Sequence, residues 1–90
     1  MAAEIIGKTV DGKSVINGAF VFKLMDTRGL PLEIITDGLR ERNMVFDVAG
    51  FVEAADRSGN YKPGVLKERL KEVLPGDAVD ILVDRIYRAA

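Results

Sequence analysis

Apolar positions recur along most of this chain at helical spacing. From Ala19 to Arg28, Phe20, Leu24 and Thr27 fall on one side, Lys23 and Asp26 on another, and the remainder is apolar. The stretch reads as a largely buried helix. A short apolar run does not fix its own period, so Ala19–Leu24 also admits a buried strand. Asn17 suits the cap ahead of it, where a side-chain oxygen takes an orphan amide of the first turn. Gly29 suits the left-handed residue that ends a helix. Leu30-Pro31 restarts the chain, since proline in a first helical turn sacrifices no hydrogen bond. Leu32, Ile35 and Leu39 then form an apolar stripe at i, i+3 and i+7, opposite Glu33, Asp37 and Glu41, which read as a solvated face. Asn43 suits a left-handed terminator. Asp47 is placed to cap a third helix with Val48, Phe51, Val52 and Ala55 inward, ended by Ser58-Gly59-Asn60. Pro63 opens a fourth, running to about Leu74 with Leu66, Leu70, Val73 and Leu74 on one face, until Pro75-Gly76 breaks it. Asp77 caps a fifth, where Val79, Leu82, Val83 and Ile86 give the most regular amphipathic pattern in the chain.

The first sixteen residues are less patterned. Ile5-Ile6 and Val15-Ile16 flank Val10-Asp11-Gly12-Lys13, and Asp-Gly between short β-tending runs signals a hairpin. The flanks are short, so a loop with one tight turn fits equally. The expected fold is mainly α: a compact bundle of four to five short helices, with or without a small N-terminal β-hairpin. One domain over 1–90 is expected, with 1–16 as loop or hairpin, 17–58 as a helical unit and 61–90 as a C-terminal helix pair.

Composition narrows the chemistry. The chain has 90 residues, 48% of them hydrophobic, with 13 Lys+Arg against 14 Asp+Glu, which suits a globular chain and not a surface that grips phosphates everywhere. It has no Cys and no His, so it lacks the thiol nucleophile, the usual neutral-pH acid/base and the commonest metal ligands. Ser14 and Ser58 have no imidazole to activate them. No carboxylate pair is singled out by spacing, and the alternating acidic loop of a calcium site is missing. Val10–Ser14 contains Gly-Lys-Ser, but the preceding glycine, Gly7, reads as one residue short of phosphate-loop spacing, so the segment is expected to be a turn. An enzyme is not expected, nor a cofactor or metal. Met1–Ile6 has neither the basic start nor the apolar length of a signal peptide, and runs such as Ala19–Phe22 are far short of a membrane span. A cytoplasmic protein with no membrane partner is expected.

One segment stands out: Phe22-Lys23-Leu24-Met25-Asp26-Thr27-Arg28-Gly29-Leu30-Pro31-Leu32-Glu33. It resembles the Phe-Lys-Leu-Tyr-Asp-Thr-Tyr-Gly-Phe-Pro-Leu-Asp stretch of bacterial alanyl-tRNA synthetases. Arg40-Glu41-Arg42-Asn43 is similar to that family's Arg-Glu-Arg-(Asn/Gly), and Asp47-Val48-Ala49-Gly50-Phe51 to its Val-Asp-Glu-Ala-Gly-Phe. The resemblance covers roughly 16–55, and nothing after Tyr61 adds to it. It implies the helical middle region behind the class II catalytic core, which helps hold the tRNA acceptor stem and its G·U wobble pair. The aspartate of that motif is implicated in reading the pair. The resemblance therefore implies Asp26 as reader, with Lys23 and Arg28 positioning phosphates. The chain departs from the motif at Met25 and Arg28, where the family has tyrosines, and at Leu30, where it has phenylalanine. No ATP- or alanine-binding motif is present.

Two functions follow. One is a non-catalytic, free-standing module of the acceptor-stem-binding kind, with tRNA as partner. The other is a small helical protein–protein interaction or structural domain that binds no RNA, with the Asp77–Ala90 helix as the surface for a partner or a second copy. Clustering of Lys23, Arg28, Arg40, Arg42 and Arg57 on one face favours the first, and scattering favours the second.

Overall fold

The structure is a computed structural model and describes residues 5–10, 12–74 and 76–89. Three strands and five helices follow in order: β1 Ile5–Val10, β2 Lys13–Ile16, α1 Gly18–Asp26, α2 Leu32–Glu41, β3 Met44–Phe46, α3 Val48–Ser58, α4 Pro63–Lys71 and α5 Ala78–Ala89. The mainly helical fold expected from the periodicity is present, and helix prevails over strand for Ala19–Leu24. At the N-terminus the hairpin prevails over the loop: β1 pairs antiparallel with β2, and Gly12 takes φ +78° in the turn. Asp11, Pro75 and residues 1–4, named in the sequence reading of the hairpin, the helix break and the leader, lie outside the described residues.

Local chemistry accounts for most helix ends. The Asn17 side chain accepts from the amides of Ala19 at 2.8 Å and Phe20 at 3.4 Å. After Asp26, Gly29 takes φ +67° and the Leu30 amide closes back on the Leu24 carbonyl at 3.3 Å. Asn43 at φ +58° and Gly59 at φ +73° end α2 and α3 as their sequence positions predict. Asp47 does occupy the cap position of α3, but its side chain makes no cap hydrogen bond; its backbone carbonyl serves the Phe51 amide at 3.1 Å instead. α4 stops at Lys71, three residues before Leu74, and the amides of Val73 and Leu74 both turn back to the Leu70 carbonyl.

Strand β3 is the element the pattern does not announce. It pairs parallel with β2, Ser14 to Met44, Val15 to Val45 and Ile16 to Phe46, so the sheet order is β1-β2-β3. The Asp47 amide extends the ladder to the Ile16 carbonyl at 3.0 Å. Three residues carry too little alternation to reveal a strand, and its partner lies across two intervening helices.

The core centres on Phe51, whose ring meets Phe22 at 5.7 Å and Phe46 at 5.6 Å, both edge to face. Val21, Phe51, Val52 and Ala55 are fully buried, and so are Leu66, Leu70 and Val83 from the C-terminal helices, in one continuous apolar cluster. The segment beyond Tyr61 thus packs on the part that precedes it. Gly18 of α1 lies so close to the start of α3 that a Cβ there would fall 2.0 Å from the Asp47 carbonyl oxygen. α5 turns Val79 and Val83 inward and is tied to α4 by Lys67–Asp84 at 2.7 Å and Lys71–Asp80 at 2.6 Å. No helix among the described residues is long and apolar enough to cross a membrane.

Candidate nucleic-acid interface

The last turn of α1 and the turn that follows it carry the three residues singled out by the motif. Lys23 and Asp26 are three apart on the helix and therefore neighbours on its surface. Both are exposed, as is Arg28 in the Thr27–Pro31 turn. The opposite side of α1, through Val21, Phe22 and Met25, is buried. Burial of that side holds the helix in place and presents Lys23 and Asp26 outward. Lys23 also suits a last helical turn for a structural reason, because a cation there complements the free carbonyls.

The structure adds Tyr61, Tyr87 and Arg69, which sequence reasoning missed. The Tyr61 hydroxyl donates to Asp26 Oδ1 at 3.2 Å, joining positions 35 residues apart. The Tyr61 ring packs edge to face on Phe22 at 5.5 Å, and its backbone carbonyl accepts from the Tyr87 hydroxyl at 3.0 Å. Partial burial pushes the Tyr61 phenol above its ordinary pKa, and the Asp26 carboxylate adds to this by accepting the phenolic proton and opposing a second negative charge. The Arg69 guanidinium on α4 acts on the same phenol in the opposite sense, which places a further cation within electrostatic reach. The motif's two tyrosine positions hold Met25 and Arg28 here, yet a tyrosine stands beside the motif carboxylate, supplied by the loop after α3. The one sequence signal was Tyr61 itself, an aromatic in a Gly-Asn-Tyr-Lys-Pro loop.

The remaining cations are divided. Arg40 pairs with Asp37 at 3.1 Å, with both side chains largely in solvent. Arg40 and Arg42 close the C-terminal end of α2, whereas Arg28 precedes its start, a helix of ten residues away, or about 15 Å. Arg57 lies in the last turn of α3, next to the loop that carries Tyr61. Lys67 and Lys71 are held by Asp84 and Asp80. Lys23 and Arg28 lie within one turn of Asp26 along the chain and Arg69 acts on the Tyr61 phenol from α4, whereas Arg40 and Arg42 sit at the far end of α2. Glu33, Asp37 and Glu41 are exposed, as a solvated face should be.

Two other features bear on function. An apolar cleft of about 550 Å³ between α1 and α2 is lined by Phe20, Leu24, Leu30, Ile34 and Met44 with Arg42 at its edge; Ile34 there is 58% exposed. The apolar stripe of α5, expected to meet a partner, faces α3 and α4, and Ile81 is the large aliphatic it leaves outside. The Gly-Lys-Ser at Gly12–Ser14 needs a correction to its sequence reading. Gly7, Gly12, Lys13 and Ser14 have the Gly-x4-Gly-Lys-Ser spacing of a phosphate-binding loop. That loop requires a strand, a glycine-rich turn and then a helix. Here Lys13 and Ser14 belong to β2, so no helix N-terminus follows to receive a phosphate.

Comparison with known proteins bears on the same region. An alanine–tRNA ligase of Mesorhizobium japonicum is 40% identical over 50 residues, which is 56% of this chain and 6% of that protein. A probable chloroplastic/mitochondrial alanine–tRNA ligase of Ostreococcus tauri is 44% identical over 54 residues, 60% of this chain and 6% of the relative. The alanine–tRNA ligase of Sulfurimonas denitrificans is 34% identical over 70 residues, 78% of this chain and 8% of the relative. This chain carries an alanyl-tRNA synthetase-like segment. A stretch of 70 residues in a chain of 90 must include positions 21–70 wherever it starts, so the likeness runs past Tyr61 and into α4, farther than the motif alone indicated. The chain spans only 4–8% of the length of the relatives it matches. No family model and no solved structure matches the chain.

Proposed function

We propose that this protein is a non-catalytic module that binds the acceptor stem of a tRNA through the end of α1, with Asp26 as the group that reads a base edge and Lys23 and Arg28 as phosphate contacts. The observation that carries the reading is the exposed Lys23–Asp26–Arg28 constellation, which lies inside a synthetase-like segment. A carboxylate can accept a hydrogen bond from an exocyclic amine, and the cations on either side supply the sequence-independent part of the affinity. The absence of His and Cys from the sequence leaves the module without the usual reagents for chemistry of its own.

The test is titration of an acceptor-stem RNA hairpin containing a G·U pair, and of its G·C counterpart, into isotope-labelled protein at low salt. Amide shifts should cluster around Lys23, Asp26 and Arg28. Replacing Lys23 or Arg28 by Ala should weaken both RNAs alike and reduce the salt slope by about one each. Asp26→Asn should lower discrimination between the RNAs by about 1 kcal/mol. An unperturbed spectrum around α1 sinks the reading. A second reading, a protein-interaction module, is favoured by the α1–α2 cleft with Leu30 and Ile34 exposed. Light scattering across concentration, with and without Ile34→Glu, addresses it: a concentration-dependent mass abolished by the substitution supports self-association there.

A further inference from the structure

We propose that Tyr61 is the positioning residue of the Asp26 site: its hydroxyl holds one oxygen of the carboxylate so that the other is presented to an RNA amine in a fixed orientation. This rests on the RNA-binding reading of Asp26. The geometry supplies the argument. Asp26 is exposed at the end of α1, where an aspartate would ordinarily sample several rotamers. Tyr61 is not free to do so. Its ring is seated against Phe22, a core residue, at 5.5 Å and its carbonyl is held by the Tyr87 hydroxyl at 3.0 Å. A donor anchored at both ends therefore reaches Asp26 Oδ1 at 3.2 Å. An ionised carboxylate has about four acceptor sites, so one phenol leaves most of them open. Fixing the acceptor before RNA arrives reduces the rotamer freedom lost on binding. The phenol does so without adding charge, because the Asp26 carboxylate and partial burial both keep it protonated.

The test uses Tyr61→Phe, which removes only the hydroxyl and keeps the ring on Phe22. Without RNA, three-bond couplings about the Asp26 side chain should report a single rotamer in the native protein and averaged values in the variant. Averaging in the native protein overturns the proposal. With RNA, the variant should lose about three- to tenfold in affinity for the G·U hairpin, the worth of one net hydrogen bond, and much less for the G·C hairpin. Added to Asp26→Asn, Tyr61→Phe should cost nothing further; an equal additional loss marks a structural role and overturns the proposal. Tighter binding by Tyr61→Phe also overturns it, because the hydroxyl would then be competing with RNA for the carboxylate. If Asp26→Asn weakens discrimination but Tyr61→Phe does not, the RNA-binding reading stands and the positioning role fails. If no variant alters RNA binding, both fail.

Discussion

Replacing Gly18 by Ala should damage this fold more than its size suggests. A Cβ at Gly18 would stand 2.0 Å from the Asp47 carbonyl oxygen, 2.3 Å from the Phe51 nitrogen and 2.8 Å from the Gly50 carbonyl carbon. Favourable contacts lie near about 3.5 Å, so the overlap with Asp47 is about 1.5 Å. All three atoms are backbone, so no rotamer change relieves it and α1 must move away from α3. The interface that opens is the one that seals Val21, Phe22, Phe51 and Val52. A gap near 1 Å forfeits about a quarter to a half of each contact across it. Overpacking of this kind costs roughly 1–3 kcal/mol or somewhat more, and the better helix propensity of alanine returns less than about 1 kcal/mol at a first helical residue. The expected net loss is about 2 kcal/mol. For a chain of this length that corresponds to a fall in Tm of about 8–16 °C. Thermal unfolding followed by far-ultraviolet circular dichroism reads it directly. A Gly18→Ala protein melting within about 3 °C of the native chain would show that α1 and α3 do not meet at this distance. A control sharpens the result. At Gly50 a Cβ would crowd the Asp47 carboxylate, at 2.7 Å, and would meet the Gly18 Cα at an ordinary 3.6 Å; the Asp47 side chain is free of any cap bond and can turn aside. Gly50→Ala should therefore cost far less.

Gly38 in α2 has nothing within 4 Å of its missing Cβ, so Gly38→Ala should stabilise by about 0.5–1 kcal/mol, a rise in Tm that a flat or falling melt would contradict. Asn17→Ala removes the acceptor for the Ala19 and Phe20 amides and should cost about 1 kcal/mol in urea unfolding, whereas Asn17→Asp, which keeps that acceptor, should cost little. Tyr61 and Tyr87 both hold their phenolic protons to higher pH than the ordinary value of 10.0, each chiefly through burial. The native state then binds more protons than the unfolded chain at alkaline pH, so stability should fall as pH rises through 10 and beyond. Replacing both by Phe should make that fall shallower; an unchanged alkaline limb in urea midpoints against pH would contradict the assignment.

The sequence by itself settled what depends on neighbours along the chain. Asn17 as a cap, Gly29 and Gly59 with positive φ, and the stripes of α2, α3 and α5 are all local, because dihedral preference and helical period act over a few residues. The synthetase-like motif was legible only through its resemblance to a known family, and Lys23, Asp26 and Arg28 are what that resemblance implies. Tertiary structure decided the rest. Met44–Phe46 becomes a strand only because β2 offers it a parallel edge across two helices. Gly18 and Gly38 are alike in sequence, yet one is the contact between two backbones and the other faces open space. The apolar stripe of α5 is equally ready for a partner or for the core until α3 and α4 cover it. Asp26 is one acid among fourteen until Tyr61, 35 residues on, places a hydroxyl against it, a hydroxyl that Arg69 on α4 also acts on. Periodicity states which face of an element is apolar. Which elements meet, and which side chains they bring to one spot, is settled by packing between residues far apart in the chain.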